Sequence, residues 1–241
     1  MIGRLAVSTR GLVKKYGKRR ALDGFTLDVP AGCVMGLVGP NGSGKTTWMM
    51  AVAGLVRLQA GQIGLFGSSR SFDASVHSGQ LAILPQDSEL PLEATPADFL
   101  CGLAGLQGLT PEAAKRSARD ILGAVHLEDR ADVSIRSLSH GMRKRLMAAQ
   151  CFLGNPKLIL LDEPMNGLDP EEVVRFRNLI LDHGPDTSVV VSSHNLADLE
   201  KFCTHIAFVR EGKVAKTVSL RELEERGLSL EAAYLGGDWR T

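Results

Sequence analysis

The sequence predicts an α/β fold, with parallel crossovers in its sheet and a helical insertion near residues 87–155. Three observations carry this. Short Val-, Ile- and Leu-rich runs recur between glycine-rich turns and helical stretches. One such run leads into a glycine-rich loop that opens a helix. Residues 87–155 then lose the strand signal and become Ala- and Leu-rich at helical spacing.

The elements follow in order. Strands are expected at Leu5–Thr9, Leu22–Val29 and Cys33–Val38, with a Pro30–Gly32 turn between the last two. A helix follows from about Lys45, over Thr46–Gly54. Further strands are expected at Gln62–Phe66 and Leu81–Leu84. In the insertion, Thr95-Pro96 and Thr110-Pro111 each place a capping hydroxyl before a proline at the first helical position. After Asn155-Pro156 the strand signal returns at Leu158–Leu161, Ser188–Val191 and His205–Val209. Ser219 with Glu222 reads as a capping box opening a C-terminal helix.

Composition excludes several classes. The 241 residues carry 28 Lys and Arg against 27 Asp and Glu, a net charge of +1, which argues against holding nucleic acid by bulk electrostatics. The basic run Lys14–Arg20 reads as a solvated loop. No apolar run approaches the about 20 residues that span a bilayer, and the first ten residues lack the apolar core of a secretory signal. Residence in the cytosol is the expectation. Cys33, Cys101, Cys151 and Cys203 are far apart with no CxxC pair, so buried, reduced thiols are expected.

Two motifs carry chemistry. Gly39-Pro40-Asn41-Gly42-Ser43-Gly44-Lys45-Thr46 fits GxxxxGK[ST] between a strand and a helix. Glycines let backbone N–H groups approach phosphate, and the helix N-terminus adds partial positive charge. Lys45 reaches β- and γ-phosphates, Thr46 offers a hydroxyl to Mg²⁺, and Thr47 continues the cradle. Second, Leu158–Leu161 ends in Asp162-Glu163, two carboxylates at the C-terminal edge of a buried strand. Asp162 suits the Mg²⁺ shell, and Glu163 suits a general base for an attacking water. Alone, the loop says only that a nucleoside triphosphate binds.

Further motifs make nearly the whole chain, from about Leu5 to Val218, resemble the ATP-binding subunit of an ABC (ATP-binding cassette) transporter. Tyr16, in Lys14-Lys15-Tyr16-Gly17-Lys18, matches the aromatic that stacks on adenine. Gln86, after Leu84-Pro85, matches the Q-loop glutamine that touches Mg²⁺ and the attacking water. Leu138-Ser139-His140-Gly141-Met142 sits where the LSGGQ signature belongs. Ser139 and Gly141 match its γ-phosphate contacts, while His140 and Met142 depart from it, a form that resembles ABC-2-type exporters. Asn166-Gly167-Leu168-Asp169-Pro170 resembles the D-loop, and Asp169 is also placed to N-cap the next helix. His194 matches the switch histidine that orients Glu163.

The resemblance implies a P-loop NTPase core with a mixed sheet and an N-terminal antiparallel β portion over residues 1–86 and 156–241. It also implies an α-helical subdomain, carrying the signature, over 87–155. The activity it implies is hydrolysis of ATP with Mg²⁺, coupled to a separate transmembrane permease on the inner face of the membrane. A second ATP-binding subunit, identical or paralogous, would face the first head to tail, so that Ser139 and Gly141 act on the partner's nucleotide. The signature form and the short C-terminus tilt the expectation toward export. A soluble ABC ATPase outside transport, and a cassette that binds ATP with little turnover, stay open as alternatives. No nucleic-acid partner is expected. Protonation of His140 would strengthen phosphate contact at mildly acid pH.

Overall fold

Five parallel strands set the architecture. The computed structural model describes residues 4–69, 79–182 and 186–235. The expected core segments also include 1–3, 70–78, 183–185 and 236–241, which lie outside that description. The chain opens with β1 (Leu5–Tyr16), β2 (Arg19–Pro30) and β3 (Val34–Val38), then α1 (Lys45–Val52), β4 (Ala60–Leu65), β5 (Ser68–Ser69) and β6 (Leu81–Leu84). Helices α2 (Pro96–Leu106), α3 (Pro111–Ala124) and α4 (His140–Ala149) follow. The remainder is β7 (Leu158–Leu161), α5 (Pro170–Asp182), β8 (Ser188–Ser193), α6 (Leu196–Glu200), β9 (His205–Arg210), β10 (Lys213–Ser219), α7 (Leu220–Glu225) and α8 (Leu230–Leu235).

Two sheets form. One has the order β10-β9-β3-β8-β7-β6; β6, β7, β8, β3 and β9 are parallel and β10 is antiparallel, so the sheet is mixed. The other, β2-β1-β4-β5, is antiparallel throughout. Helix α1 lies in the apolar layer shared by residues of both sheets. Its Trp48 is fully buried, stacks on Phe25 with ring centroids 5.9 Å apart, and directs its indole N–H toward Thr9 Oγ1 at 3.3 Å. A second apolar cluster joins residues of β7 and β8 to the helices of 87–155 and to α5. Strands covered on both faces are apolar along their whole length, as Leu158–Leu161 is.

Between residues 87 and 155 the structure has α2, α3, α4 and three short 3₁₀ turns, and no strand among the described residues. Thr95 Oγ1 accepts the Asp98 N–H at 3.0 Å, and Thr110 Oγ1 accepts the Ala113 N–H at 3.4 Å, as the Thr-Pro pairs predict. Strand β1 runs on to Tyr16, well past Thr9. Gly11, at φ +59°, takes up a register shift that lets the basic stretch continue the ladder. The run Lys14–Arg20 is therefore two strand ends joined by a tight turn at Gly17. Helix α4 begins at His140, inside the Leu138–Met142 stretch, with Ser139 as its cap, and gives way to a 3₁₀ turn at Gln150–Phe152. Ser219 precedes α7, yet its side chain makes no capping bond. It is the last rung of β10, paired with His205, and the ladder sets its geometry.

Candidate functional site

The parallel strands deliver their C-terminal ends to one edge of the sheet, where ligands bind in open α/β folds. β3 leads into the glycine-rich loop, β6 into Gln86, β7 into Asp162-Glu163 and β8 into His194. The loop's glycines answer to close packing. A Cβ on Gly39 would stand 2.1 Å from the Val209 carbonyl oxygen; Gly44 has φ +116°, and a Cβ there would meet the Ala21 oxygen at 2.6 Å. A two-residue hairpin turn braces the loop: Glu211 and Gly212, both at positive φ, join β9 to β10, and the Gly212 N–H donates to Ser43 O at 2.8 Å.

Lys45, the first residue of α1, is buried in the cradle. Its Nζ donates to the Gly39 carbonyl at 2.7 Å and lies 3.3 Å from Pro40 O. It also pairs with Glu163 Oε1 at 3.7 Å, both side chains being almost inaccessible. Glu163 sits at φ +50°, a left-handed turn that separates its side chain from that of Asp162. His194, on the rim and more than half exposed, places Nδ1 3.1 Å from Glu163 Oε2; with the proton on Nδ1 it donates that bond. Behind them, the Ser192 hydroxyl donates to Asp162 Oδ1 at 2.5 Å and accepts the Glu163 N–H at 2.8 Å. Asp162 Oδ2 and Ser43 Oγ are buried with no hydrogen-bond partner among the described residues.

A cavity of about 540 Å³ opens over this edge, lined by Tyr16, Asn41, Gly42, Gly44, Lys45, Thr46, Thr47, Gln86 and Glu163. The Lys14 ammonium lies 4.9 Å over the Tyr16 ring and donates to Arg57 O at 2.7 Å. Two lining residues, Arg19 and Ala21, escaped the sequence reading. Arg19 donates to the Gly42 carbonyl at 2.7 Å, across the hairpin turn from Tyr16. Its position inside a run of basic residues masked it. Ser192 was missed as well, and its only signal was a polar pair ending an apolar strand.

Ser139, Gly141 and Asp169 do not line the cavity. Ser139 Oγ accepts the Met142 N–H at 3.2 Å at the head of α4, and Asp169 Oδ1 accepts the Glu172 N–H at 2.9 Å at the head of α5. These two helix starts are tied together. Lys144 donates to Asn166 O at 2.6 Å, and the buried Arg145 pairs with Glu172 at 2.9 Å while donating to Val125 O. Glu172 packs beneath Gly141, and His140 Nε2 lies 3.9 Å from where a Gly167 Cβ would stand. The Leu138–Met142 and Asn166–Pro170 segments thus adjoin one another, and Ser139, Gly141 and Asp169 stay outside the cavity over the Gly39–Thr46 loop.

Among the described residues, no group of three or more His, Cys, Asp or Glu is gathered to hold a metal. A single buried, unpartnered carboxylate oxygen beside a phosphate cradle fits a hard cation that takes its remaining ligands from hydroxyl, amide, phosphate and water oxygens.

A strand–loop–helix cradle with a buried lysine, next to an acidic strand end, defines a P-loop nucleoside triphosphatase. The chain belongs to the ABC transporter family, whose model matches residues 22–166. It is similar to the daunorubicin/doxorubicin resistance ATP-binding protein DrrA of Streptomyces peucetius, 32% identical over 91% of this chain and 67% of the relative. It is likewise similar to the bacitracin transport ATP-binding protein BcrA of Enterococcus faecalis, 32% identical over 94% of this chain and 73% of the relative. A solved ATP binding subunit of an ABC transporter superposes with a TM-score of 0.83 at 27% identity, covering 96% of this chain and 98% of that one. The chain is an ATP-binding, ATP-hydrolysing transporter subunit, and no described helix is long and apolar enough to cross a membrane.

Proposed function

We propose that this chain powers an exporter by hydrolysing ATP in the Lys45–Glu163 cavity, docked on the inner face of the membrane against a separate permease. One observation carries the chemistry: a buried ammonium and a buried carboxylate share the floor of a phosphate cradle beside the bare Asp162 Oδ2. Export is supported by the names of the relatives and by the Leu138–Met142 sequence.

Tyr16 stacks on the adenine, an interaction of about 1–3 kcal/mol by analogy with base–aromatic contacts. The N–H groups of Gly39–Thr47 and the Lys45 ammonium hold the phosphates and stabilise the charge that develops on transfer. Thr46, Asp162 and Gln86 would hold Mg²⁺, which when bound neutralises phosphate charge. Glu163 takes the proton of the attacking water, and His194 and Gln86 orient the base and the water. Lys45 is released from Glu163 to the γ-phosphate as ATP enters.

Residues 87–155 act as a helical subdomain that presents Ser139 and Gly141 to the nucleotide of a second subunit. That arrangement gives a use to a phosphate-binding signature lying away from this chain's own cavity. The test is sizing with light scattering of Glu163→Gln in Mg²⁺ and ATP. An ATP-dependent dimer that Ser139→Asp abolishes is expected. A monomer at saturating ATP would overturn the head-to-tail arrangement.

A further inference from the structure

Ser192 is a fully buried hydroxyl at the end of β8, just after Val189–Val191, and the register of the sheet explains its position. Strands β7 and β8 are parallel, pairing Leu158 with Ser188 and Leu161 with Val191. One step further, where β7 has ended, the same 30-residue offset sets Asp162 beside Ser192, and the hydroxyl bridges the two acidic residues.

The bridge does two things at once. By donating to Asp162 Oδ1 it fixes the rotation of the carboxylate and leaves Oδ2 as the unengaged oxygen, buried and without a partner among the described residues. A bare, buried carboxylate oxygen is unfavourable unless a cation arrives to meet it. By accepting the Glu163 N–H, the same hydroxyl holds that residue at φ +50°, a conformation that costs a non-glycine residue about 1–3 kcal/mol. This turn carries the Glu163 carboxylate to Lys45 and His194.

We infer that Ser192 is a positioning residue for the metal–nucleotide site: its hydroxyl divides the work of two adjacent carboxylates, aiming Asp162 Oδ2 at the Mg²⁺ of the bound nucleotide and Glu163 at the attacking water. The inference rests on the reading of the cavity given under Proposed function. Ser192 touches neither nucleotide nor metal and acts through its two neighbours, as groups behind a metal ligand do.

The test compares wild type, Ser192→Ala and Ser192→Thr. Binding of trinitrophenyl-ATP is measured in EDTA and across a Mg²⁺ titration, alongside kcat, KM and the urea midpoint. For Ser192→Ala, affinity in EDTA stays at the wild-type value, the Mg²⁺ half-saturation rises about tenfold, and kcat falls more than KM rises. Ser192→Thr, which keeps the hydroxyl, returns each quantity to wild type. An unchanged Mg²⁺ half-saturation in Ser192→Ala, with only the urea midpoint lowered, overturns the inference and leaves Ser192 as a packing group. Should Ser192→Ala not fold, Ser192→Cys supplies the same comparison, with a raised Mg²⁺ half-saturation expected and a wild-type value overturning the inference. Wild type that binds trinitrophenyl-ATP with no response to Mg²⁺ would instead overturn the reading of the cavity itself.

Discussion

Replacing Glu163 by glutamine keeps the shape of the side chain and removes its charge. Glu163 Oε1 lies 3.7 Å from Lys45 Nζ, with both groups shielded from water. At an effective dielectric constant near 20, that separation corresponds to an attraction of about 4 kcal/mol, much of it offset by the desolvation of both groups. Lys45 keeps the Gly39 and Pro40 carbonyls, and the amide oxygen still accepts, so the loss of stability is about 1–3 kcal/mol. ATP brings its own negative charge to Lys45, and without Glu163 it no longer competes with a carboxylate or is repelled by one. ATP affinity is therefore expected to hold or rise. Turnover is expected to fall by about 10²–10⁴, the contribution of a positioned general base, or about 3–5 kcal/mol in the barrier. Phosphate release at saturating ATP and titration with a fluorescent ATP analogue read the two quantities separately. Turnover within about tenfold of wild type would refute the general-base role, and a weakened ATP affinity would refute the electrostatic argument.

Further outcomes follow from packing and burial. Gly39→Ala sets a methyl group against the Val209 carbonyl, so the loop must shift; nucleotide binding is lost while helix content by circular dichroism stays unchanged. Burial pushes the Cys33 and Cys151 thiols up to about 12 and Cys203 higher still, whereas Cys101 is only half-buried. A thiol reagent is expected to label Cys101 first and to reach four thiols only on unfolding, and rapid labelling of Cys151 in the native protein would contradict the packing. Burial also lowers the pKa of His205, against the opposing pull of Glu222. Its contribution to stability is complete above the unfolded histidine value of about 6.5 and is lost as pH falls through that range. The urea midpoint of wild type is expected to drop from pH 7.5 to 5.5 more than that of His205→Gln, and equal slopes would contradict it.

Chemistry held in contiguous residues was legible in the sequence. The Gly39–Thr46 loop is its own spacing, and Asp162-Glu163 follows directly from the strand that buries its neighbours. The Thr95 and Thr110 caps were readable because a cap acts within three residues. What escaped was set by register between distant strands. Ser192 meets Asp162 only because β7 and β8 pair in parallel with that offset. Arg19 reaches Gly42 only because the β1–β2 hairpin extends to Tyr16 and Arg19 and closes over the loop. Ser219 does stand at the head of a helix, with Glu222 in its first turn, as the pattern predicts; only the capping bond is missing, because the β10–β9 ladder holds the residue.

The chemistry turns on the buried Lys45 ammonium binding the triphosphate of ATP in this cavity. Equilibrium binding of a fluorescent ATP analogue to wild type and Lys45→Ala, with Mg²⁺ present, tests it most directly. Two lost charge-assisted hydrogen bonds of about 1.5–3 kcal/mol each predict an affinity at least about a hundredfold weaker, with turnover lost as well. Wild-type affinity and turnover in Lys45→Ala would contradict the claim.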